Sequence, residues 1–218
     1  MDHAHYYFYS GVHVQKEKTV KKIAFFDFDG TITTHDTLLE FIKFSKGSGA
    51  FYTGFAMNSP FLVAMKLKLL SNQPVKEKIL RYFFGGMPEK NFNEACHNFQ
   101  EQSLPQLIRP GALKEIKKFQ EEGIEVIIVS ASPENWIRQW AESQRLKLIA
   151  TRLEVKDGKI TGRISGKNCY GIEKVNRIRE LFQLEQYEAI YAYGDSSGDN
   201  ELLAIAHFPS KKPFRESI

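Results

Sequence analysis

Three short apolar runs constrain the fold of this chain more than any other feature. They cover residues 23–27, 124–130 and 189–195, and each ends in an acidic or small polar residue. A continuous apolar run of this length is typical of a strand that is buried on both faces, as in a parallel sheet. The polar residues that end the runs are then expected at the carboxyl edge of that sheet, where α/β proteins bind their ligands. The pattern therefore predicts an α/β protein with a functional site at this edge.

Segments with helical or alternating periodicity separate the three runs. Residues 38–108 contain no strong strand pattern, and their apolar residues recur at helical spacing. We therefore expect a helical insertion between the first and second strands. Residues 148–155 and 159–164 alternate on either side of Asp157-Gly158, which predicts a β-hairpin. The other predicted helices cover residues 112–122, the segment from Pro133 through Trp140, and residues 172–184.

These patterns divide the chain into three parts. We expect a disordered or tag-like leader at residues 1–20, a core domain formed by residues 21–37 and 109–218, and a helical domain inserted at residues 38–108. The leader contains three histidines, so a metal site there is the less favoured alternative.

Charge and composition exclude several classes of function. A net charge of +4 over 218 residues is too small to indicate a nucleic-acid-binding protein, although it suits an anionic substrate. Two cysteines cannot form a disulfide framework, which favours a reducing, cytoplasmic location. Residues 51–70 are apolar, but Asn58, Pro60 and two lysines interrupt them, so they do not predict a membrane span. An amphipathic helix in contact with a membrane surface is the less favoured alternative.

Acidic residues follow the first and the third predicted strands. Asp27 and Asp29 lie two residues apart after the first strand, and Asp195 and Asp199 follow the third. Carboxylates this close repel each other unless a cation holds them or they have different roles. Four carboxylates that converge from two strand ends make a site for a hard cation, and the ligand type favours Mg²⁺.

The second predicted strand ends in hydroxyl and backbone groups. Ser130, Ala131 and Ser132 precede a predicted helix, where free backbone N–H groups bind an anion of the size of phosphate. A lysine is then needed to offset the combined negative charge. Lys174, at the start of a later predicted helix, is the favoured candidate, and Lys167, directly after the predicted hairpin, is the alternative.

In this order and spacing, the residues resemble the four motifs of the haloacid dehalogenase-like (HAD) hydrolase superfamily. The motifs are Asp27-Phe28-Asp29-Gly30-Thr31, Ser130, Lys174 and residues 194–199. The resemblance covers about residues 22–213 and implies a Rossmann-like doubly wound parallel sheet. The long interval after the first motif implies an inserted helical cap of the C1 type, as in the phosphoserine-phosphatase-like subclass IB. The chain is most similar to a branch that holds uncharacterised phosphatases and a phosphatidylglycerophosphate phosphatase.

The resemblance also implies a role for each motif residue. Asp27 is expected to be the nucleophile that forms an aspartyl-phosphate, and Asp29 the general acid and base. Lys174 would neutralise charge on Asp27 and on the phosphate. Phosphoryl oxygens would be bound by Ser130 and the Ala131 N–H. Mg²⁺ would be bound by Asp27, the Asp29 carbonyl and Asp195. Asp199 would either contact these ligands or bind the ion through water.

Two residues are weaker candidates for substrate binding. Asp36 lies where phosphoserine phosphatases have a glutamate that helps to recognise the substrate amine, but its favoured role is to cap a helix that begins near Leu38. Arg81, in the insertion, would either pair with a substrate anion or, as we favour, remain solvated. Cys96 lies on an apolar stripe and is expected in the core rather than as a nucleophile.

The second acid of the first motif narrows the predicted reaction. Family dehalogenases lack an acid at the position of Asp29, and P-type ATPases have threonine there, so Asp29 favours a phosphatase or a phosphomutase. We expect a Mg²⁺-dependent phosphomonoester hydrolase that acts on a small phosphorylated metabolite. The alternatives are a phosphatase of a lipid phosphate headgroup at a membrane surface, and a phosphomutase or phosphotransferase. Aromatic residues concentrate in residues 41–99, which predicts that this segment selects the substrate.

Overall fold

Five of the seven strands in the described part of the chain form one parallel sheet at the centre of the molecule. The computed structural model describes residues 21–67 and 69–215, so the predicted leader lies outside the described residues. The strands are β1 (Lys22–Phe26), β2 (Glu125–Pro133), β3 (Lys147–Thr151), β4 (Leu153–Lys156), β5 (Lys159–Ile164), β6 (Ala189–Gly194) and β7 (Phe208–Lys211). The parallel sheet has the order β3-β2-β1-β6-β7, and β4 and β5 pair separately. The three predicted strands are thus the three central ones.

Helices fill the intervals between the strands. They are α1 (Thr37–Lys66), α2 (Asn72–Phe84), α3 (Glu89–Gln102), α4 (Leu104–Leu107), α5 (Pro110–Glu121), α6 (Arg138–Ser143), α7 (Ile172–Leu181) and α8 (Asn200–Ala204). Helix α1 is interrupted at Gly47, where φ is +80°. The helix predicted from Pro133 begins later, because β2 continues to Pro133 and a short helical turn precedes α6.

Helices cover both faces of the parallel sheet. Alternate side chains of β1 enter two separate apolar clusters, with Ile23 and Phe25 in one and Ala24 and Phe26 in the other. The first cluster includes residues of α7 and α8, and the second includes residues of α5. Strands that are buried on both faces read as continuous apolar runs. The predicted α/β fold with a doubly wound parallel sheet is therefore confirmed.

Helices α1–α4 occupy the chain between β1 and β2. The two ends of this insertion lie side by side, since the Thr34 N–H donates to the Leu107 carbonyl at 2.8 Å and the Arg109 N–H donates to the Ile32 carbonyl at 2.8 Å. Domain boundaries at residues 38 and 108 stay a prediction, which this pairing supports.

Buried aromatic rings join the insertion to the sheet. The Phe41 ring contacts Phe84, Phe92, Phe99 and Trp136, with ring centroids 4.9–5.6 Å apart. Stacked and edge-to-face rings of this kind stabilise a core beyond the area that they bury. These aromatic residues of the insertion therefore hold it against the core.

The predicted hairpin differs from the observed one. Residues 147–151 form β3 at the edge of the parallel sheet, and the hairpin consists of β4 and β5. Its backbone pairs with the turn after α2: the Gly86 N–H donates to the Ile160 carbonyl at 2.8 Å, and the Ile160 N–H donates to the Met87 carbonyl at 2.9 Å. The hairpin thus contacts the insertion, although its sequence lies within the predicted core domain.

The close approach of this hairpin to α2 depends on a glycine. Gly162 has a φ of +79°, and a Cβ atom there would overlap the Arg81 backbone, whereas Gly158 has a φ of +67° with open space around it. Gly162→Ala is expected to lower the free energy of unfolding by about 2–4 kcal/mol, from backbone strain and overpacking together. Gly158→Ala, which adds strain alone, is expected to lower it by about 1–2 kcal/mol. Urea denaturation measures the free energy of unfolding of both variants. Equal losses would contradict a close approach of Gly162 to the Arg81 backbone.

The remaining predictions on the chain as a whole concern its cysteines and its apolar segments. Cys96 and Cys169 are both free and buried, and Cys96 belongs to the core cluster. Within residues 21–67 and 69–215, no helix has the length and apolar character required to cross a lipid bilayer.

Candidate active site

A cavity of about 670 Å³ opens at the carboxyl edge of the parallel sheet, beneath helices α1 and α2. Its polar part is formed by the residues that follow β1 and β6, by the end of β2, and by Lys174 of α7. Chains that leave a parallel sheet at this edge turn away to helices, so their side chains are free to meet a ligand. Four of the predicted residues, Asp27, Asp29, Asp195 and Asp199, line this cavity.

A buried lysine bridges two of the aspartates. The Lys174 Nζ donates to Asp27 Oδ1 at 2.5 Å and to Asp199 Oδ1 at 2.6 Å, and all three side chains are buried. Lys167 is exposed, and its backbone carbonyl accepts a hydrogen bond from Arg177. Of the two candidate lysines, Lys174 is therefore the one in contact with the acidic residues.

Burial and neighbouring charges shift the pKa values of these three groups in opposite directions. Burial raises the pKa of Asp27 to about 7, although the Lys174 ammonium opposes this shift. Burial would also raise the pKa of Asp199, but Lys174 and the hydrogen bonds from Ser196 lower it below the usual range. Burial would lower the pKa of Lys174, and the two carboxylates raise it above its usual value. Lys174 is therefore charged at neutral pH, with more than one carboxylate per ammonium around it.

The excess of carboxylates fits a divalent cation. Oxygen atoms of Asp27, Asp195 and Asp199 lie within 4.8 Å of one another, and Mg²⁺ prefers oxygen ligands. Both Asp199 oxygens already have partners in the protein: Oδ1 accepts from Lys174, and Oδ2 accepts from the Asp195 N–H at 3.2 Å and the Ser196 N–H at 3.0 Å. This arrangement fits Asp27 and Asp195 as direct ligands, with Asp199 holding the loop that carries Asp195.

A glycine allows the turn after β1 to approach Asp195. Gly30 has a φ of +78°, and a Cβ atom there would lie 2.5 Å from Asp195 Oδ2. Glycine alone adopts this backbone conformation readily and leaves this space free.

Asp29 is held by hydroxyl groups that the sequence analysis did not identify. Its Oδ1 accepts from the Thr37 hydroxyl at 2.5 Å and the Thr37 N–H at 2.7 Å, and its Oδ2 accepts from the Ser132 hydroxyl at 2.6 Å. The Trp136 Nε1–H donates to the Thr37 hydroxyl at 3.0 Å, so a buried indole also orients this network. Thr37 begins α1, and no local pattern in the sequence indicates that it reaches Asp29.

The end of β2 places Ala131 and Ser132 in the cavity rather than Ser130. The register between β2 and β3 shifts between Ser130 and Pro133, and such a bulge re-aims the side chains next to it. Ser130 is fully buried, and its hydroxyl accepts from the Ser132 N–H at 2.9 Å and donates to Asp29 Oδ2 at 3.4 Å. Its contact with the phosphate stays a prediction, and Ser132 adds a second hydroxyl that lines the cavity.

Helix α2 contributes Lys76 to the site, a residue whose role was not predicted from the sequence. Asn72, Val75, Lys76 and Ile79 line the cavity at i, i+3, i+4 and i+7, which is one face of the helix. The Lys76 Nζ donates to the Ala131 carbonyl at 2.7 Å. Burial lowers the pKa of Lys76, and the Asp29 and Asp36 carboxylates oppose this shift. Lys76 lies among apolar residues at helical spacing, and this position was the sequence feature that could have indicated its role in the site.

The two weaker candidates have different positions. Asp36 is the N-cap of α1, where its Oδ1 accepts from the Leu39 N–H at 3.2 Å, and it also lines the cavity. Arg81 is exposed and does not line the cavity. It lies five residues after Lys76, about 140° further around the helix, and therefore on a different face.

Comparisons with known proteins agree with this geometry. The model of the haloacid dehalogenase-like hydrolase family matches residues 24–204. Protein CicA of Caulobacter vibrioides is 34% identical over 192 residues, which are 87% of this chain and 85% of that protein. A Mycobacterium tuberculosis protein described as a probable phosphatase is 40% identical over 97 residues, which are 43% of this chain and 33% of that protein.

Solved structures show the same fold. The structure of a phospho-aspartyl intermediate analogue of phosphoserine phosphatase superposes with a TM-score of 0.64 at 23% identity, covering 88% of this chain and 85% of that one. The family match covers the sheet from Ala24 in β1 through β6, and all the residues that line the cavity. The chain belongs to the haloacid dehalogenase-like hydrolase family.

Proposed function

We propose that the chain is a Mg²⁺-dependent phosphomonoester hydrolase that acts on a small phosphorylated molecule through an aspartyl-phosphate. Membership of the family makes it a hydrolase. The observation that carries the narrower proposal is the buried Lys174 between Asp27 and Asp199, with a second acid, Asp29, in the same cavity. This combines a nucleophile, a proton carrier and a fixed cation, which phosphoryl transfer requires.

Each group has a defined task in the two steps. The Asp27 carboxylate attacks phosphorus, the bond from phosphorus to the substrate oxygen breaks, and Asp29 gives its proton to the leaving alkoxide. A water molecule then attacks the phosphorus of the aspartyl-phosphate while Asp29 takes its proton, which releases inorganic phosphate and restores the Asp27 carboxylate. Thr37 and Ser132 orient Asp29 for both transfers. Asp27 and Asp195 would hold Mg²⁺, which supplies positive charge beside the phosphoryl oxygens.

The relatives support this class of reaction. One is described as a probable phosphatase, and one solved structure is that of a phosphoserine phosphatase with an analogue of a phospho-aspartyl intermediate. The substrates of these proteins are not assigned to this chain. A phosphomutase or phosphotransferase would share the first step but would pass the phosphoryl group to another alcohol instead of water.

Phosphate release from an aryl phosphate tests this proposal. With Mg²⁺ we expect inorganic phosphate and the aryl alcohol in equal amounts, and with EDTA a loss of at least about 100-fold, because the metal contributes several kcal/mol to the transition state. Asp195→Asn is expected to raise the Mg²⁺ concentration needed for half-maximal activity. Release that is insensitive to EDTA would contradict the metal requirement, and aryl alcohol without phosphate would indicate a phosphotransferase.

A further inference from the structure

The insertion presents an apolar wall to the cavity. Helix α1 contributes Leu39, Phe55, Leu62 and Met65 to this wall, and α2 contributes Val75 and Ile79. Val75 and Ile79 belong to the buried core cluster, and the four side chains from α1 pack against it while remaining half-buried. The wall is therefore continuous with the core of the insertion and is positioned by it.

The polar side chains on this wall already have partners within the protein. In the parts of α1 and α2 that line the cavity, they are Asn72 and Lys76. The Asn72 Oδ1 accepts from the Asn168 side chain at 2.7 Å, and Lys76 donates to the Ala131 carbonyl at 2.7 Å. Because most of this wall is apolar, a substrate with several polar groups besides its phosphate would leave some of them against apolar side chains, at a cost of about 1–3 kcal/mol for each unpaired group.

The cavity is also larger than a phosphate site alone requires. Its volume of about 670 Å³ lies within the range of roughly 300–1,000 Å³ that is typical of pockets for whole organic ligands. The acidic residues, Ser132 and Lys174 form the polar end, where the phosphate belongs under the proposed function. Thr34, His35, Asp36 and Tyr170 add further polar groups to the lining, and the apolar wall from α1 and α2 bounds the cavity beside them.

From this wall we infer that the substrate is a phosphomonoester of an apolar alcohol, whose hydrocarbon chain lies against α1 and α2. The inference rests on the proposed function and adds the class of the alcohol. It contrasts with a small zwitterionic substrate such as phosphoserine, which has no hydrocarbon chain to cover the apolar wall. A soluble alkyl phosphate and a lipid phosphate share this chemistry.

A series of linear alkyl phosphates, from butyl to decyl and below their micelle concentrations, tests the inference. We expect kcat/KM to rise about threefold to fourfold for each added methylene until the cavity is filled, because each buried methylene contributes a nearly constant transfer free energy. Phosphoserine is expected to react at least about 10-fold more slowly than butyl phosphate. A kcat/KM that is independent of chain length, or that favours phosphoserine, would overturn the inference.

Two neighbouring residues of α1 provide matched variants. Leu62 lines the cavity, whereas Val63 is exposed on the same helix. Leu62→Ser is expected to lower the ratio of kcat/KM for decyl phosphate to that for butyl phosphate by about 10-fold. Val63→Ser is expected to leave this ratio unchanged, and circular dichroism shows whether both variants fold. Equal effects of the two substitutions on decyl phosphate would contradict the inference.

The same assay distinguishes a lipid substrate from a soluble ester, and it also tests the proposed function. Hydrolysis of phosphatidate in vesicles of neutral phospholipid, together with the chain-length dependence, would support the inference with a lipid as the source. The chain-length dependence without hydrolysis of vesicles would support it with a soluble ester as the source. If aryl phosphate is hydrolysed but chain length has no effect, this inference alone fails; if no phosphomonoester is hydrolysed with Mg²⁺, the proposed function fails.

Discussion

Replacing Asp27 by asparagine is expected to lower phosphate release by a factor on the order of 10⁴ or more, the scale that follows loss of the nucleophile in a covalent mechanism. The amide has almost the same shape but has no negative oxygen that can attack phosphorus. It can still accept a hydrogen bond from Lys174, which keeps its bond to Asp199. We therefore expect the fold to be retained, which circular dichroism and thermal unfolding check alongside phosphate release.

A distant aspartate provides the control for this substitution. Asp157 lies exposed in the turn between β4 and β5 with a φ of +50°, a conformation that asparagine also tolerates. Asp157→Asn is expected to leave phosphate release unchanged. A second readout is covalent labelling: denaturation during turnover of a radiolabelled substrate should leave phosphate on the wild-type chain and none on the Asp27→Asn variant. Retained activity in a folded Asp27→Asn variant would refute the assignment of the nucleophile.

The polar residues at the sheet edge could be predicted because their placement depends on local patterns. The apolar run before Asp27 identifies a strand buried on both faces, and the run before Asp195 identifies another. Parallel strands end at the same edge, so these two acids had to lie close together whatever the helices did. The excess of negative charge at that edge predicted a nearby lysine, and the resemblance to the family favoured Lys174 over Lys167.

The edges of the sheet could not be predicted in the same way. Residues 147–151 alternate, and alternation indicates which side chains share a face but not which strand is the partner. The alternation of residues 148–155 therefore predicts one strand of a hairpin, although residues 147–151 pair with β2. Strand β7 contains Pro209, which argues against a central strand. It is tolerated because β7 lies at the edge of the sheet.

Residues that reach the site from the insertion were the hardest to predict. The position of Lys76 beside Ala131 depends on how α2 lies over the sheet, which no single helical pattern determines. The high aromatic content of the insertion did not indicate which of its side chains reach the site, and its role in selecting the substrate stays a prediction. Phe41 and its neighbours form the buried junction between the insertion and the sheet, and among the described phenylalanines of the insertion, Phe55 lines the cavity.

Replacing Lys174 by methionine is expected to affect both stability and activity. The variant keeps the length of the side chain but leaves Asp27 and Asp199 buried without an ammonium. Removing one partner from a buried ion pair typically lowers the free energy of unfolding by about 3–5 kcal/mol. Loss of a fixed cation beside the phosphoryl group is expected to lower kcat by about 100-fold to 1,000-fold. Urea denaturation in EDTA and phosphate release with Mg²⁺ measure the two effects.

The stability difference between the wild-type protein and this variant is expected to depend on pH. In the wild type, Lys174 lowers the pKa of Asp199, so this carboxylate stabilises the fold above its unfolded pKa and loses that contribution as pH falls through the folded value. In the wild type, burial already raises the pKa of Asp27 to about 7. In the variant, loss of the ammonium makes the pKa of both carboxylates higher than in the wild type, so the variant loses more stability as pH rises above their unfolded values. The difference should therefore be largest at neutral pH and should shrink as the solution is acidified towards about pH 4.

The two candidate lysines make this experiment decisive. Lys167 is exposed, and Lys167→Met is expected to change the free energy of unfolding by no more than about 0.5 kcal/mol and to leave phosphate release intact. Adding Asp199→Asn to Lys174→Met should restore part of the stability, because it removes one uncompensated charge, while activity stays low. If Lys167→Met abolished phosphate release and Lys174→Met did not, the cation that balances Asp27 during turnover would have to be Lys167, and the contact between Lys174 and Asp27 would be structural only.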